Sequence, residues 1–312
     1  MKIAHKYDAI VPILEPSMLA LTRSREMLTN LTELIAPDYL SLQVAMSKYR
    51  TYSEALRHHV PCPLTYLITN FRELKEAAQD IGYPIILKTD KESGLDPESR
   101  YKIARSPQEL LHAFQYLRRR TQMPLLVQKF IAGEKVGAFY LFNKYGELIT
   151  TFCHRRIIEA PGGLSVLCES FFNLRALKYG YRLLKALSWK GVAMAEFIIN
   201  KEDRAPYLLE INPRFWGSLP LAIVAGVNFP RLLIECWTER RGHDVPLTRH
   251  YKYARCLILL PMQRFFRDGG VRAIMDVLKE ILKNLAPKPA TFELMEKDIM
   301  PFIMVIRRVD RD

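Results

Sequence analysis

Apolar positions along the chain recur with two periods. Short runs with a period of two, or continuously apolar, read as strands: Asp8 to Ile13, Ile85 to Lys88, Pro124 to Ile131, Val136 to Phe142, Glu147 to Phe152, Val192 to Ile199 and Tyr207 to Asn212. Between them lie stretches with an apolar residue every three or four positions, which predict helices over Pro16 to Asn30, Ser47 to His59, Asn70 to Gly82, Ser106 to Arg120 and Phe172 to Ser188. Two of these carry explicit start signals. Asn70 with Glu73, and Ser106 with Glu109 followed by Pro107, have the spacing in which a capping side chain and a glutamate satisfy the first free amides of a helix. Gly82 is a stop, and Tyr83-Pro84 leads into the next strand. Further on, Ser218 and Pro220 open a helix ending near Gly226, and Phe229-Pro230 opens another ending at Gly242. Val271 to Leu285 carries an apolar stripe (Ile274, Met275, Leu278, Ile281, Leu282, Leu285) read as packing against the body, with a membrane surface as the alternative.

Two hairpins stand out. One turns at Asn143-Lys144-Tyr145-Gly146, and the other at the longer connection Asn200 to Pro206. Folded symmetrically about Asp203, the second hairpin sets Glu196 opposite Glu210, and alternation adds Asn212 to the Glu210 face with Leu209 and Ile211 on the other. Carboxylates placed opposite each other repel. Such a pair among Val, Met, Phe and Ile calls for a cation between them, and oxygen-only donors suit a hard divalent ion such as Mg²⁺. Either glutamate alone would be read more plainly as part of a solvated face.

Composition narrows the classes. The 312 residues, 49% apolar and 25% charged, suffice for two or three packed subdomains. No apolar run approaches the ~18 residues of a membrane span, and no secretory leader is expected, since Asp8 already stands in the first strand. Five widely spaced cysteines without a CxxC pair indicate neither a disulfide framework nor zinc, and a reducing, cytoplasmic setting is expected. The net charge of +13 allows nucleic acid, an anionic membrane surface or an anionic substrate. Its arginines are dispersed, as at Arg118 to Arg120, Arg155-Arg156, Arg240-Arg241 and Arg307-Arg308, without a nucleic-acid-binding motif. Most of these read as solvated helix ends, a phosphate-rich ligand accounts for some of the rest, and nucleic acid is not expected.

The strings AEF and LLEINPRFWGS resemble the C-terminal metal-binding strands of the ATP-grasp superfamily, which includes biotin carboxylase, carbamoyl phosphate synthetase and D-alanine ligase. The resemblance implies that Glu196, Glu210 and Asn212 hold Mg²⁺, with Mn²⁺ as a substitute. It also implies that Arg214 meets the transferred phosphoryl group or acyl phosphate. SKYRT followed by VPCPLTYLI resembles the segment carrying the first ATP lysine, here Lys48; a solvated helix lysine is the alternative. GYPIILK is similar to the segment carrying the second, Lys88, and a lysine ending an apolar strand favours a phosphate partner on physical grounds too. PLLVQKFIAGE resembles the hinge that contacts adenine and ribose. Gln128 there replaces the usual glutamate, Lys129 and Ile131 would give backbone contacts, and Glu134 stands one place before the usual ribose acid, where Lys135 is found. HRRIIEAP resembles a biotin carboxylase segment whose basic residues face the carboxylate substrate and the phosphate, which selects His154 and Arg156. Alternation lets only one of Arg155 and Arg156 face such a site. Gly162-Gly163-Leu164-Ser165 would offer amides near substrate, and a flap carrying Gly94 would cover the phosphates.

The resulting expectation is an α+β ATP-grasp fold with two subdomains clasping ATP. Residues 1–62 form a shortened Rossmann-like segment and linker helix, 63–133 a lid subdomain, 134–240 a larger subdomain with the metal hairpin, and 241–312 an extension. The implied activity is ATP- and Mg²⁺-dependent ligation, in which a small carboxylate becomes an acyl phosphate and an amine or thiol attacks it. A homodimer mate or partner chain would complete the short N-terminal domain. A non-catalytic nucleotide or nucleic-acid binder is the competing class.

Overall fold

The computed structural model of the protein describes residues 7–28, 30–91, 100–160, 164–238, 255–257 and 275. The stripe over Val271 to Leu285, the glycines Gly94, Gly162 and Gly163, and the expected stop at Gly242 lie outside the described residues, Met275 excepted.

Strand β1 (Ala9–Ile10) is followed by helices α1 (Glu15–Arg23) and α2 (Arg25–Leu28) and by β2 (Glu33–Leu34), which pairs parallel to β1. This is a single βαβ unit. The helix expected over Pro16 to Asn30 is thus broken at Ser24, whose amide bonds back to the Leu21 carbonyl. The Arg25 guanidinium donates to the carbonyls of Leu34, Ala36 and Pro37, which ties the second piece to the chain after β2. Helix α3 (Tyr39–Ala45), which has no strong sequence signal, leads to α4 (Lys48–Arg57).

A four-stranded antiparallel sheet follows, with β3 (Thr65–Ile68), β4 (Ile85–Thr89), β5 (Tyr101–Ala104) and β6 (Leu125–Lys129) in the order β3-β6-β4-β5. Helices α5 (Phe71–Ile81) and α6 (Pro107–Arg118) begin at the two expected caps, where Asn70 Oδ1 and Ser106 Oγ accept from the amides of Glu73 and Glu109. They cover one face, packing Leu74, Ala78, Leu110 and Leu117 against Ile85, Leu87, Leu125 and Val127. The period of two then leaves Ile86, Lys88 and Gln128 on the opposite face.

The second sheet has six strands in the order β11-β10-β7-β8-β9-β12: β7 (Gly133–Phe142), β8 (Leu148–Ala160), β9 (Leu164–Ser170), β10 (Gly191–Asn200), β11 (Pro206–Asn212) and β12 (Arg255–Leu257). Helix α7 (Leu174–Ala186) covers one face, packing Leu177, Leu183 and Leu184 on Val136, Ala138, Ala195 and Phe197. The other face divides along its length. At one end Val192, Met194, Phe139 and Phe152 meet Trp216, α8 (Leu219–Val224) and α9 (Phe229–Thr238) in a second core. At the other end that face carries Glu196, His154 and Arg156 and looks toward the smaller sheet. Buried Trp216 and Trp237 belong to this second core, as expected.

Candidate active site

The two sheets enclose a cavity of about 550 Å³ that brings together Lys48, Lys88, Gln128, Lys129, Ile131, His154, Arg156, Glu196, Glu210, Asn212 and Arg214. Glu134 is not among its lining residues, whereas Lys135 is. Alternation along β7 is the reason: Glu134 lies on the opposite face, 3.9 Å from Arg155, while Lys135 faces the cleft and holds Glu159 at 2.7 Å.

One transverse row organises the floor. Glu210 pairs with Glu196, Glu196 with Gly137, and Gly137 with His154, so these side-chain positions line up across β11, β10, β7 and β8. The hairpin register about Asp203 is therefore as expected at the two glutamates. Nearer the turn it shifts by one, Phe197 facing Leu208, which leaves Leu209 as a bulged residue. The bulge corrects the expected facing of Leu209: it lines the cavity, and Leu208 takes its place in the core. Gly137 is required by close approach, since a Cβ there would stand 2.8 Å from His154 Nε2 and 2.6 Å from Phe139 Cζ.

The carboxylates are held by cations. Arg156 donates from a guanidinium nitrogen to Glu196 Oε2, and Lys48 Nζ stands 3.3 Å from Glu210 Oε2. Their acidities diverge. Burial raises Glu196, with nearby Arg156 opposing. Burial would raise Glu210 also, but Lys48, the Asn212 amide and Lys88 outweigh it and hold that carboxyl at about 2. Asn212 Nδ2 donates to Glu210 Oε1 at 3.1 Å. Among the described residues no three His, Cys, Asp or Glu side chains gather in a cluster suited to a metal ion. A cation at the hairpin would therefore have two carboxylates and one amide oxygen and take its remaining ligands from water or phosphate, the manner of Mg²⁺ rather than of zinc. The donor set fits that ion.

Lys88 is aimed by a side-chain chain. Its Nζ donates to Tyr52 Oη and to Gln128 Oε1, both at 2.9 Å, and Gln128 Nε2 donates to Thr65 Oγ1 at 2.7 Å. Burial, and then the like charge of Lys48, depress Lys88 to about 7. The neutral Gln128 supplies no charge to offset this. Lys48 is delivered differently: Asp90, just beyond β4, accepts from Ser47 Oγ at 2.9 Å and from the Tyr49 amide at 2.8 Å and so anchors the N-terminus of α4.

His154 is buried, with Nδ1 2.9 Å from Ser218 Oγ and its ring edge-on to Phe139. Burial, then Arg156, push it down to about 3, so it is a neutral imidazole. Among the described residues its Nε2 and Trp216 Nε1, both buried, have no hydrogen-bond partner, and both residues line the cavity. Only one of the adjacent arginines faces inward, as alternation requires: Arg155 pairs with Glu169 on the far side. Arg214 Nε donates to Glu15 Oε1 at 3.0 Å. Tyr52, Asp90 and Glu15 carry no motif of their own, and their roles arise only from packing.

A protein-family model described as "ATP-grasp in the biosynthetic pathway with Ter operon" matches residues 157–255. The chain is 23% identical over 256 residues to a carbamoyl phosphate synthase large chain from Clostridium acetobutylicum, covering 75% of this chain and 23% of that protein. It is 27% identical over 222 residues to a D-alanine–D-alanine ligase from Acidovorax ebreus, covering 64% of each. Among solved structures, the biotin carboxylase domain dimer of Hydrogenobacter thermophilus 2-oxoglutarate carboxylase, in complex with MgADP, ADP and bicarbonate, superposes with a TM-score of 0.68 at 19% identity, covering 80% of this chain and 57% of that one. Two sheets closing on one cleft give the protein an ATP-grasp fold, and these similarities support the ATP-grasp superfamily. It spans less than two thirds of these relatives.

Proposed function

We propose that the protein is an ATP- and Mg²⁺-dependent ligase that activates a small carboxylate as an acyl phosphate for attack by an amine or thiol. The observation that carries this reading is the transverse register of Glu196 and Glu210 on the cleft floor, with Lys48, Lys88, Arg156 and Arg214 converging on the same cavity. The relatives named above support the class, not the particular acid. Bound at Glu196, Glu210 and Asn212, Mg²⁺ would neutralise phosphate charge. Lys88 and Lys48 approach from the smaller sheet and from α4 and are suited to the nucleotide phosphates. The backbone of Lys129, at the end of β6, and of Ile131, in the connection to β7, is suited to the adenine edge. Arg156 and Arg214 present planar, permanently charged forks that match a carboxylate or phosphoryl group. Neutral His154 can hydrogen-bond a substrate oxygen but brings no charge to it.

We place the partners accordingly: a small acid, an amine or thiol, and a homodimer mate or partner chain beside the short N-terminal unit. Among the described residues Cys62, Cys153 and Cys236 form no disulfide, which suits a reducing, cytoplasmic setting. Among the described residues no helix is long and apolar enough to cross a membrane. The test is chemical. With ATP, Mg²⁺ and a panel of acids, the productive acid should yield ADP and, with hydroxylamine, a hydroxamate; ¹⁸O in its carboxylate should appear in the released phosphate. Acid-dependent ADP formation without that label rejects the ligase. ATP binding without turnover for any acid leaves the passive nucleotide binder.

A further inference from the structure

Tyr52 is 3% exposed and has no counterpart among the motifs above. Its hydroxyl makes two bonds with opposite polarity. It accepts from Lys88 Nζ at 2.9 Å and donates to the carbonyl of Leu209 at 2.6 Å. Lys88 belongs to the smaller sheet, and Leu209 is the bulged residue of β11 immediately before Glu210. The same helix, α4, carries Lys48 to Glu210. One phenol therefore joins the two halves of the cleft at the point where a phosphate-binding lysine approaches a metal-binding strand.

We propose that Tyr52 is a positioning residue that sets Lys88 and Glu210 in mutual register, so that nucleotide and divalent cation are bound as one unit. The proposal rests on the function proposed above. Physically it follows from what each bond restrains. The acceptor bond fixes the end of a long, rotatable lysine side chain, which otherwise has Gln128 as its other hydrogen-bond partner. The donor bond holds the carbonyl of the extra residue in a β-bulge, and a bulge is what decides whether the following side chain points at the partner strand's equivalent or slips past it. Glu210 opposes Glu196 on the cleft side of the bulge, and the register differs by one on the turn side. Burial pushes the Tyr52 phenol well above its usual range, so it keeps the proton it donates. Lys88 in addition lies over the Tyr52 ring, 5.4 Å from its centroid.

The experiment compares Tyr52→Phe with Tyr140→Phe in the full chain. Tyr140 is an equally buried phenol bonded to the carbonyls of Ala176 and Leu177 in the core under α7 and does not line the cavity, so it reports the plain structural cost of losing such a hydroxyl. ADP affinity is measured by calorimetry with Mg²⁺ present, and Mn²⁺ affinity of the ADP complex by electron paramagnetic resonance. Tyr52→Phe should weaken both, each by roughly tenfold, the scale of one hydrogen bond involving a charged group. Tyr140→Phe should lower the melting temperature and leave both affinities at the wild-type value. Loss of ADP affinity with unchanged Mn²⁺ affinity would overturn the coupling, and wild-type values for both in Tyr52→Phe would overturn the role altogether. Wild-type protein that binds neither probe would instead overturn the nucleotide reading itself, and the Tyr52 role with it.

Discussion

Glu15 Oε1 accepts from Arg214 Nε at 3.0 Å across 199 residues of sequence. The acid is the first residue of α1, just after β1, and the arginine follows β11. The N-terminal βαβ unit therefore reaches the cleft.

That pair lies at the cleft edge, with 29% and 19% of the two side chains exposed, so solvent screens it. A double-mutant cycle on Glu15→Gln and Arg214→Gln, followed by urea denaturation, should give a coupling of no more than about 1 kcal/mol. A much larger value would mean that the pair is structural rather than poised for exchange with an anionic substrate.

Glu210→Gln should preserve the fold and abolish Mg²⁺-dependent ATP turnover. Loss of a direct ligand should weaken metal affinity by at least the roughly 10–100-fold seen for outer-shell partners. Circular dichroism and Mn²⁺ titration check the two halves of that statement, and undiminished metal affinity would reject the ligand assignment.

Lys88 titrates at about 7 in the fold against its usual 10.5. Between those values the unfolded chain binds more protons than the native one, so this group's contribution makes stability rise with pH; the cost of burying the charge is complete below about 7 and relieved toward 10.5. Lys88→Met should consequently stabilise the ligand-free protein more at pH near 6 than near 9, by denaturant titration, while weakening ATP binding. Phosphates should recharge the amine, so nucleotide binding to the wild type above pH 7 should take up protons, measured by calorimetry in buffers of different ionisation enthalpy. Lys48→Ala should weaken ATP less than Lys88→Ala.

Gly137→Ala would drive a methyl into His154 and Phe139. Overpacking of this kind costs about 1–3 kcal/mol, and because the obstacle is partly the His154 ring, its environment should change in histidine NMR spectra. An unperturbed His154 resonance with unaltered stability would contradict the row described for the cleft floor.

Much of this architecture is local and therefore legible in one dimension. Two helix starts follow from side chains bonding amides three residues away, at Asn70 and Ser106. The opposition of Glu196 and Glu210 follows from hairpin symmetry about Asp203, and the opposite facing of Arg155 and Arg156 from strand alternation. These depend only on the geometry of adjacent residues or of one hairpin. Other features were set by contacts that no local pattern encodes. The carbonyl of the bulged Leu209 meets a phenol 157 residues earlier, the start of the Lys48 helix meets Asp90 at the end of another element, and Arg25, just past the break at Ser24, meets carbonyls beyond β2. The short strands β3 and β5 bury few side chains of their own, and pairing within the smaller sheet is what makes them strands. Sequence alone determined which residues could bear charge and which faces they occupied; tertiary packing decided which charges meet, because burial and opposite partners, not residue type, set Glu196 upward, Glu210 downward and His154 neutral.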